Sequence, residues 1–158
     1  MTHAELVARA ARWLRNTAKC GVVLTECQGD GFEIPDAIGW RCGYSILLEC
    51  KASRADFFAD LRDKQRHLHW RLGSLRYYMT ERGLLKRGEL PGDWGLLEVH
   101  GNIVRQVRRA TQNVEGRLEI CHHEQGLLLC ALRKIQLAER SNDSRTLSLP
   151  SQLTSCLG

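Results

Sequence analysis

The chain has 158 residues, 43% of them hydrophobic, with 23 Lys and Arg against 18 Asp and Glu for a formal charge of +5. That is the size of one ordinary domain with a proper core, and the mild basicity permits a polyanionic partner without requiring one. No stretch approaches the ~20 apolar residues of a membrane span, and the opening MTHAELVARAARWLRNTAKC lacks a signal-peptide apolar region and cleavage site, so a cytoplasmic protein with no membrane partner is expected.

Thr2 and Glu5 have capping-box spacing, and Val7, Ala10, Ala11 and Leu14 follow the period of one helix face. Lys19 to Gly21 ends this first helix. Residues 21–27 read as a strand, QGDG (28–31) as a turn, and EIPDAIGW (33–40) as a second strand with Pro35 near its edge. A tight RCG connection leads into YSILLECKA (44–52), a strongly apolar third strand in an antiparallel meander.

Ser53 and Asp56 cap a second helix starting at Arg54, with Phe57, Leu61, Leu68 and Leu72 on one face, Phe57 and Phe58 in the core, and Gly73 as its stop. LRYYMTE (75–81) is a fourth strand, and a loop with a helical turn follows. Residues 95–99 and 103–110 form a hairpin, and 123–140 a last amphipathic helix. The serine-rich segment 141–158 lacks periodicity and is expected to be a disordered tail. The predicted order, α-β-β-β-α-β-(β-β)-α, gives a single α/β/α sandwich over residues 1–140 with a mixed central sheet.

The seven cysteines, at 20, 27, 42, 50, 121, 130 and 156, have no CxxC pair and an odd count. They read as reduced and mostly buried rather than as a disulfide or zinc framework. The Cys121-His122-His123 run has soft ligands but no second cluster.

The third strand carries the chemistry. Side chains alternate faces, so Ile46, Leu48 and Cys50 share one and Leu47, Glu49 and Lys51 the other. A short antiparallel connection brings the beginning of the second strand, Asp36, across from Glu49. Two carboxylates held that close either share a proton or hold a cation. Few hard oxygen ligands completed by water suit Mg²⁺ or Mn²⁺. Lys51 is placed to orient or deprotonate a water, or to neutralise charge developing on a phosphate. An E-x-K triplet alone is a solvated strand end more often than a site. The upstream Pro-Asp, the apolar run and the flanking helices give it weight.

Pro35-Asp36 followed by Glu49-Cys50-Lys51 resembles the PD-(D/E)xK nuclease superfamily, as does the αβββαβ order. LTECQGDGFEIPDAIGW, LLECKASRADFFAD and DWGLLEV are similar to the MmcB-type DNA-repair nucleases and related phage proteins, over roughly residues 20–110. The resemblance implies a restriction-endonuclease-like fold over 1–140 and a metal-dependent deoxyribonuclease in DNA repair, recombination or phage DNA processing. It implies Asp36 and Glu49 as ligands of Mg²⁺ or Mn²⁺, the Cys50 carbonyl as another, and Lys51 as the catalytic lysine. A further carboxylate is usual, with Glu26 favoured over Glu33 and over Glu5, which already has a capping role.

The basic run after the second helix begins is longer than in that family. Arg54, Arg62, Lys64, Gln65, Arg66 and Arg71 are the candidates for contacting DNA, with His67, His69 and Arg76 nearby. Arg105, Arg108 and Arg109 form a second patch. The interleaved Trp70, Tyr77 and Tyr78 are placed for base stacking, but core positions suit the tyrosines better. The rival function is a non-cleaving nucleic-acid-binding or complex-assembly protein on the same fold. Pairing into a homodimer is left open by the sequence.

Overall fold

The computed structural model describes residues 1–29, 34–66, 72–113 and 117–146, the side chains of 63–66 and 142–146 excepted. Its elements are α1 (His3–Asn16), β1 (Val22–Thr25), β2 (Ala37–Arg41), β3 (Tyr44–Lys51), α2 (Arg54–Arg66), β4 (Leu75–Glu81), β5 (Gly95–His100), β6 (Ile103–Arg108) and α3 (Arg117–Thr146). A short 3-10 turn, Arg87–Glu89, lies between β4 and β5.

The capping box predicted for α1 is present. Glu5 N–H donates to Thr2 Oγ1 at 3.3 Å, and Thr2 N–H donates to Glu5 Oε2 at 2.7 Å. Leu6, Val7, Ala10, Ala11 and Leu14 form its buried face. That face packs on Ala37, Ile46, Leu48, Cys50, Met79 and Leu97 of the sheet.

The six strands lie in sequence order, β1 to β6. β1, β2 and β3 pair antiparallel, β3, β4 and β5 pair parallel, and β6 returns antiparallel to β5. Helix α2 makes the β3–β4 crossover that a parallel pair requires. The second sheet face, with Ile38, Leu47, Tyr78 and Leu96, is covered by Phe57 of α2, by Leu85, Leu90 and Trp94 of the β4–β5 connection, and by Leu127 of α3. Helices on both faces make the expected α/β/α sandwich. Strand β3 is buried from Ser45 to Lys51, as a central strand covered on both sides should be.

The β2–β3 turn sets the register that matters. Arg41 pairs with Tyr44, leaving Cys42 and Gly43 as the turn, and Gly43 takes φ +88°. A side chain is disfavoured in that left-handed conformation, whereas glycine adopts it readily. The ladder then runs to Ala37 opposite Leu48.

Several boundaries differ from expectation. β1 stops at Thr25 because Glu26 turns left-handed, at φ 46°. β2 starts only at Ala37, so Asp36 precedes the strand. Helix α2 is described from Arg54 to Arg66, and the stretch from there toward the expected stop at Gly73, Leu68 included, lies outside the described residues. Helix α3 begins before 123 because its buried stripe, Ile120, Glu124, Leu127 and Ala131, extends back to Ile120. It continues to Thr146, into the segment expected as a tail, and every residue from Leu132 to Ser141 is exposed. Phe58 is 43% exposed rather than part of the core. Of the described cysteines only Cys20 and Cys50 are fully buried, fewer than expected, and all six are free thiols.

Helix α3 is fixed to the sheet by a buried carboxylate. Glu124 accepts from Trp40 Nε1 at 2.8 Å, Ser45 Oγ at 2.5 Å and Gly73 N–H at 3.0 Å. This satisfied network sits at the Ser45 end of β3, away from Lys51.

Candidate functional site

At the other end of β3, Glu49 and Lys51 point to the α2 side of the sheet, as the alternation predicts. Both are buried. One step beyond the Ala37–Leu48 pair, the chain brings Asp36 to the same strand end. Its Oδ2 accepts the Cys50 backbone N–H at 2.6 Å, which fixes the carboxylate against β3. The thiol of Cys50 lies in the α1-side core, where burial, reinforced by Asp36 and Glu49, pushes its ionisation far up. The Cys50 side chain thus faces the opposite side of the sheet from Glu49 and Lys51, and its backbone is what meets Asp36.

Lys51 is held between two carboxylates. Its Nζ is 3.4 Å from Glu49 Oε2 and 3.1 Å from Asp60 Oδ1. Burial works against the ammonium, but Glu49 and Asp60 outweigh it, with Asp36 adding a smaller pull, and Lys51 is held above the ordinary lysine range. The same contacts favour the charged ammonium, which donates to both carboxylates.

Asp60 was not singled out from the sequence. It lies on α2, and its Oδ2 accepts from Tyr78 OH at 2.9 Å. Tyr78 stands beside Glu49 on β4, stacked on Trp94 at 4.2 Å and edge-on to Phe57 at 5.0 Å. Burial and then Asp60 push its phenol well above the usual range, so it remains a donor. The available signal was the second aspartate of SRADFFAD, one helical turn past Asp56 and so close to its face.

Glu26 is drawn toward the site less tightly than the strand reading implied. Its backbone N–H donates to the carbonyls of Pro35 (3.1 Å) and Asp36 (3.2 Å), but its carboxylate is 63% exposed. His3, at the start of α1, stands over the rim, with Nε2 3.4 Å from Asp36 Oδ1 and 3.8 Å from Glu26 Oε1. The sequence reading did not include His3. Glu33 lies outside the described residues, and Glu5 is engaged in its capping box.

Among the described residues no three His, Cys, Asp or Glu side chains form a ready metal cage. The carboxylates of Asp36 and Glu49 and the Cys50 backbone carbonyl are hard oxygen donors of the kind Mg²⁺ or Mn²⁺ takes in small number with water, and the His3 imidazole adds a nitrogen at the rim.

The basic candidates divide. Arg54 is a structural tie: its guanidinium meets both Glu89 oxygens at 3.0 and 2.5 Å and the Leu84 carbonyl at 3.0 Å, joining α2 to the β4–β5 connection. Arg76 is buried with its guanidinium 4.3 Å over the Trp94 ring. Arg108 donates to the carbonyls of Arg87, Leu90 and Gly92. Arg62, Arg105 and Arg109 are exposed. Lys64, Gln65 and Arg66 lie on α2, but their side chains, like Arg71, His67, His69 and Trp70, fall outside what is described. Tyr77 and Tyr78 are buried core residues.

No helix among the described residues is long and apolar enough to cross a membrane. No family model matches the chain, and no curated protein matches it. The chain is similar to a solved structure, the SPO1766 protein of unknown function from Silicibacter pomeroyi. The TM-score is 0.65 at 25% identity, over 97% of this chain and 99% of that one, so the likeness extends almost end to end.

Proposed function

We propose that the chain is a metal-dependent nuclease of the PD-(D/E)xK type that hydrolyses DNA phosphodiester bonds. The observation that carries this reading is the buried Lys51 ammonium, held by Glu49 and Asp60 at the strand end that Asp36 also reaches through the Cys50 amide. Asp36 and Glu49 thus present two carboxylates at one strand end beside that ammonium, a set of hard oxygen donors that a divalent cation would suit.

In this reading Asp36, Glu49 and the Cys50 carbonyl would hold Mg²⁺ or Mn²⁺, with Glu26 assisting. When bound, the ion supplies a Lewis acid for the phosphoryl oxygens and lowers the pKa of a water. Asp36 is kept in place by the Cys50 amide. Lys51 donates to the attacking water or to a phosphoryl oxygen that gains charge. The water adds its oxygen to phosphorus as the bond to the leaving oxygen breaks, and its proton goes to that leaving group. Exposed Arg62, with Lys64 and Arg66 on the same helix, provides cationic groups for flanking phosphates.

The test is a substrate panel. Circular single-stranded and linear double-stranded DNA are incubated with the purified chain, in Mn²⁺ and in chelator. Metal-dependent products support the reading. DNA binding without products in any arm moves the chain to the rival class of non-cleaving binders.

A further inference from the structure

Resting on the reading of Glu49 as a metal ligand, we propose that Asp60 is the positioning residue that holds Lys51 when Glu49 turns to a divalent cation. Glu49 has two demands on it. Its Oε2 faces the Lys51 ammonium at 3.4 Å, and in the proposed function it would also ligate the cation together with Asp36. A carboxylate that neutralises a dication no longer neutralises a lysine. With Glu49 as its sole counterion, Lys51 would become an uncompensated buried charge next to a second cation, which is strongly unfavourable.

Asp60 removes the conflict. It is the closer partner of Lys51, at 3.1 Å, and it comes from α2 rather than from the strand that carries Glu49. Its other oxygen accepts from Tyr78 OH, and Tyr78 is wedged between Phe57 and Trp94. The carboxylate is thus fixed at both oxygens by groups that need not move when an ion arrives. Lys51 keeps one N–H on Asp60 throughout, which leaves its other N–H groups for a water or a phosphoryl oxygen. Asp60 touches neither, so its role is to position Lys51 and to leave Glu49 available.

The experiment is a double-mutant cycle read by calorimetric binding of Mn²⁺ alone, without DNA, on the full chain. Near-UV circular dichroism confirms that each variant is folded. Asp60→Asn keeps the shape and removes the charge, so Lys51 falls back on Glu49. The expected result is Mn²⁺ binding about tenfold weaker, the size of a coupling between charged groups in direct contact. Removing the lysine removes the competition: in a Lys51→Met background, Asp60→Asn should cost less than about threefold. Tyr78→Phe, which releases Asp60 without changing any charge, should weaken binding in the same direction by a smaller factor.

Equal weakening by Asp60→Asn with and without Lys51 overturns the proposal, because Asp60 would then act only as a distant charge. Mn²⁺ binding indifferent to Asp60→Asn overturns it too. An unaltered chain that does not bind Mn²⁺ overturns the metal reading of Glu49 itself, and the inference with it.

Discussion

The Cys50 backbone amide donates to Asp36 Oδ2 at 2.6 Å, across the end of the β2–β3 ladder. Asp36 therefore has a structural task beside any chemical one, and the two separate by substitution. Asp36→Ala leaves a partly buried donor without its acceptor and should cost about 1–3 kcal/mol of stability in denaturant unfolding. Asp36→Asn retains an acceptor oxygen and should cost distinctly less. Cleavage should be lost in both, so activity that follows stability rather than charge would remove Asp36 from the mechanism.

Lys51 is bound to the fold by the same contacts that suit it to catalysis. Lys51→Met removes the buried ammonium that both Glu49 and Asp60 face, and breaking a buried ion pair costs about 3–5 kcal/mol. The melting temperature should fall accordingly, and Glu49→Gln introduced into that variant should recover part of the loss. For cleavage, the Asp36, Glu49 and Lys51 substitutions should each be close to complete and strongly non-additive, because the groups act as a unit.

Arg54 and Glu89 carry a pH dependence of known sign. The Arg54 guanidinium, with the Lys86 amide, holds the Glu89 carboxyl down to about 2. A carboxylate depressed in the folded state contributes stability above its ordinary pKa, and that contribution is lost as pH falls toward the folded value. The window therefore runs from ~4.3, the unperturbed glutamate value, down to about 2. Amide protection in the connection between β4 and β5, relative to the intrinsic exchange rate at each pH, should fall across that window in the unaltered chain, and Glu89→Gln should abolish the acid step. Arg54 is exposed and Glu89 half-buried, so the pair is reached by solvent and added salt should shrink the effect.

Much of the site was legible because it depends on periodicity and register. Strand alternation put Glu49 and Lys51 on one face, and a short turn before Tyr44 was enough to place Asp36 near Glu49. The capping box of Thr2 and Glu5 is likewise a local rule. What was missed depends on docking between elements distant in sequence. Asp60 reaches Lys51 only because of how α2 lies on the sheet. Arg54 and Arg76 looked like a DNA-binding surface because Glu89 and Trp94, their partners, lie far along the chain. Glu26 was assigned to a strand because nothing in TEC marks a left-handed residue, which Asn or Gly would have signalled.

That left-handed backbone at Glu26 gives a prediction of opposite signs. A non-glycine residue there costs roughly 1–2 kcal/mol, so Glu26→Gly should stabilise the fold by up to about that amount in denaturant unfolding. If its carboxylate reaches a bound ion through water, Glu26→Gly and Glu26→Gln should both lose most cleavage in Mn²⁺, and Glu33→Gln should not. Cleavage retained by Glu26→Gln and lost by Glu33→Gln would transfer the role to Glu33.

The basic residues of α2 are tested by salt. Replacing Arg62, Lys64 and Arg66 together by Gln should weaken DNA binding and reduce the slope of log affinity against log salt by roughly 0.9 for each duplex phosphate that is no longer neutralised. Arg54→Gln should leave the slope unchanged, since that side chain is committed to Glu89.

The most direct measurement is the rate of phosphodiester cleavage by the unaltered chain in Mn²⁺, with chelator and the Glu49→Gln variant as parallel controls. The account predicts DNA products from the unaltered chain in Mn²⁺, and none with chelator or with Glu49→Gln. Products of equal yield in all three arms, or in none while the folded chain binds Mn²⁺ and DNA, would contradict it.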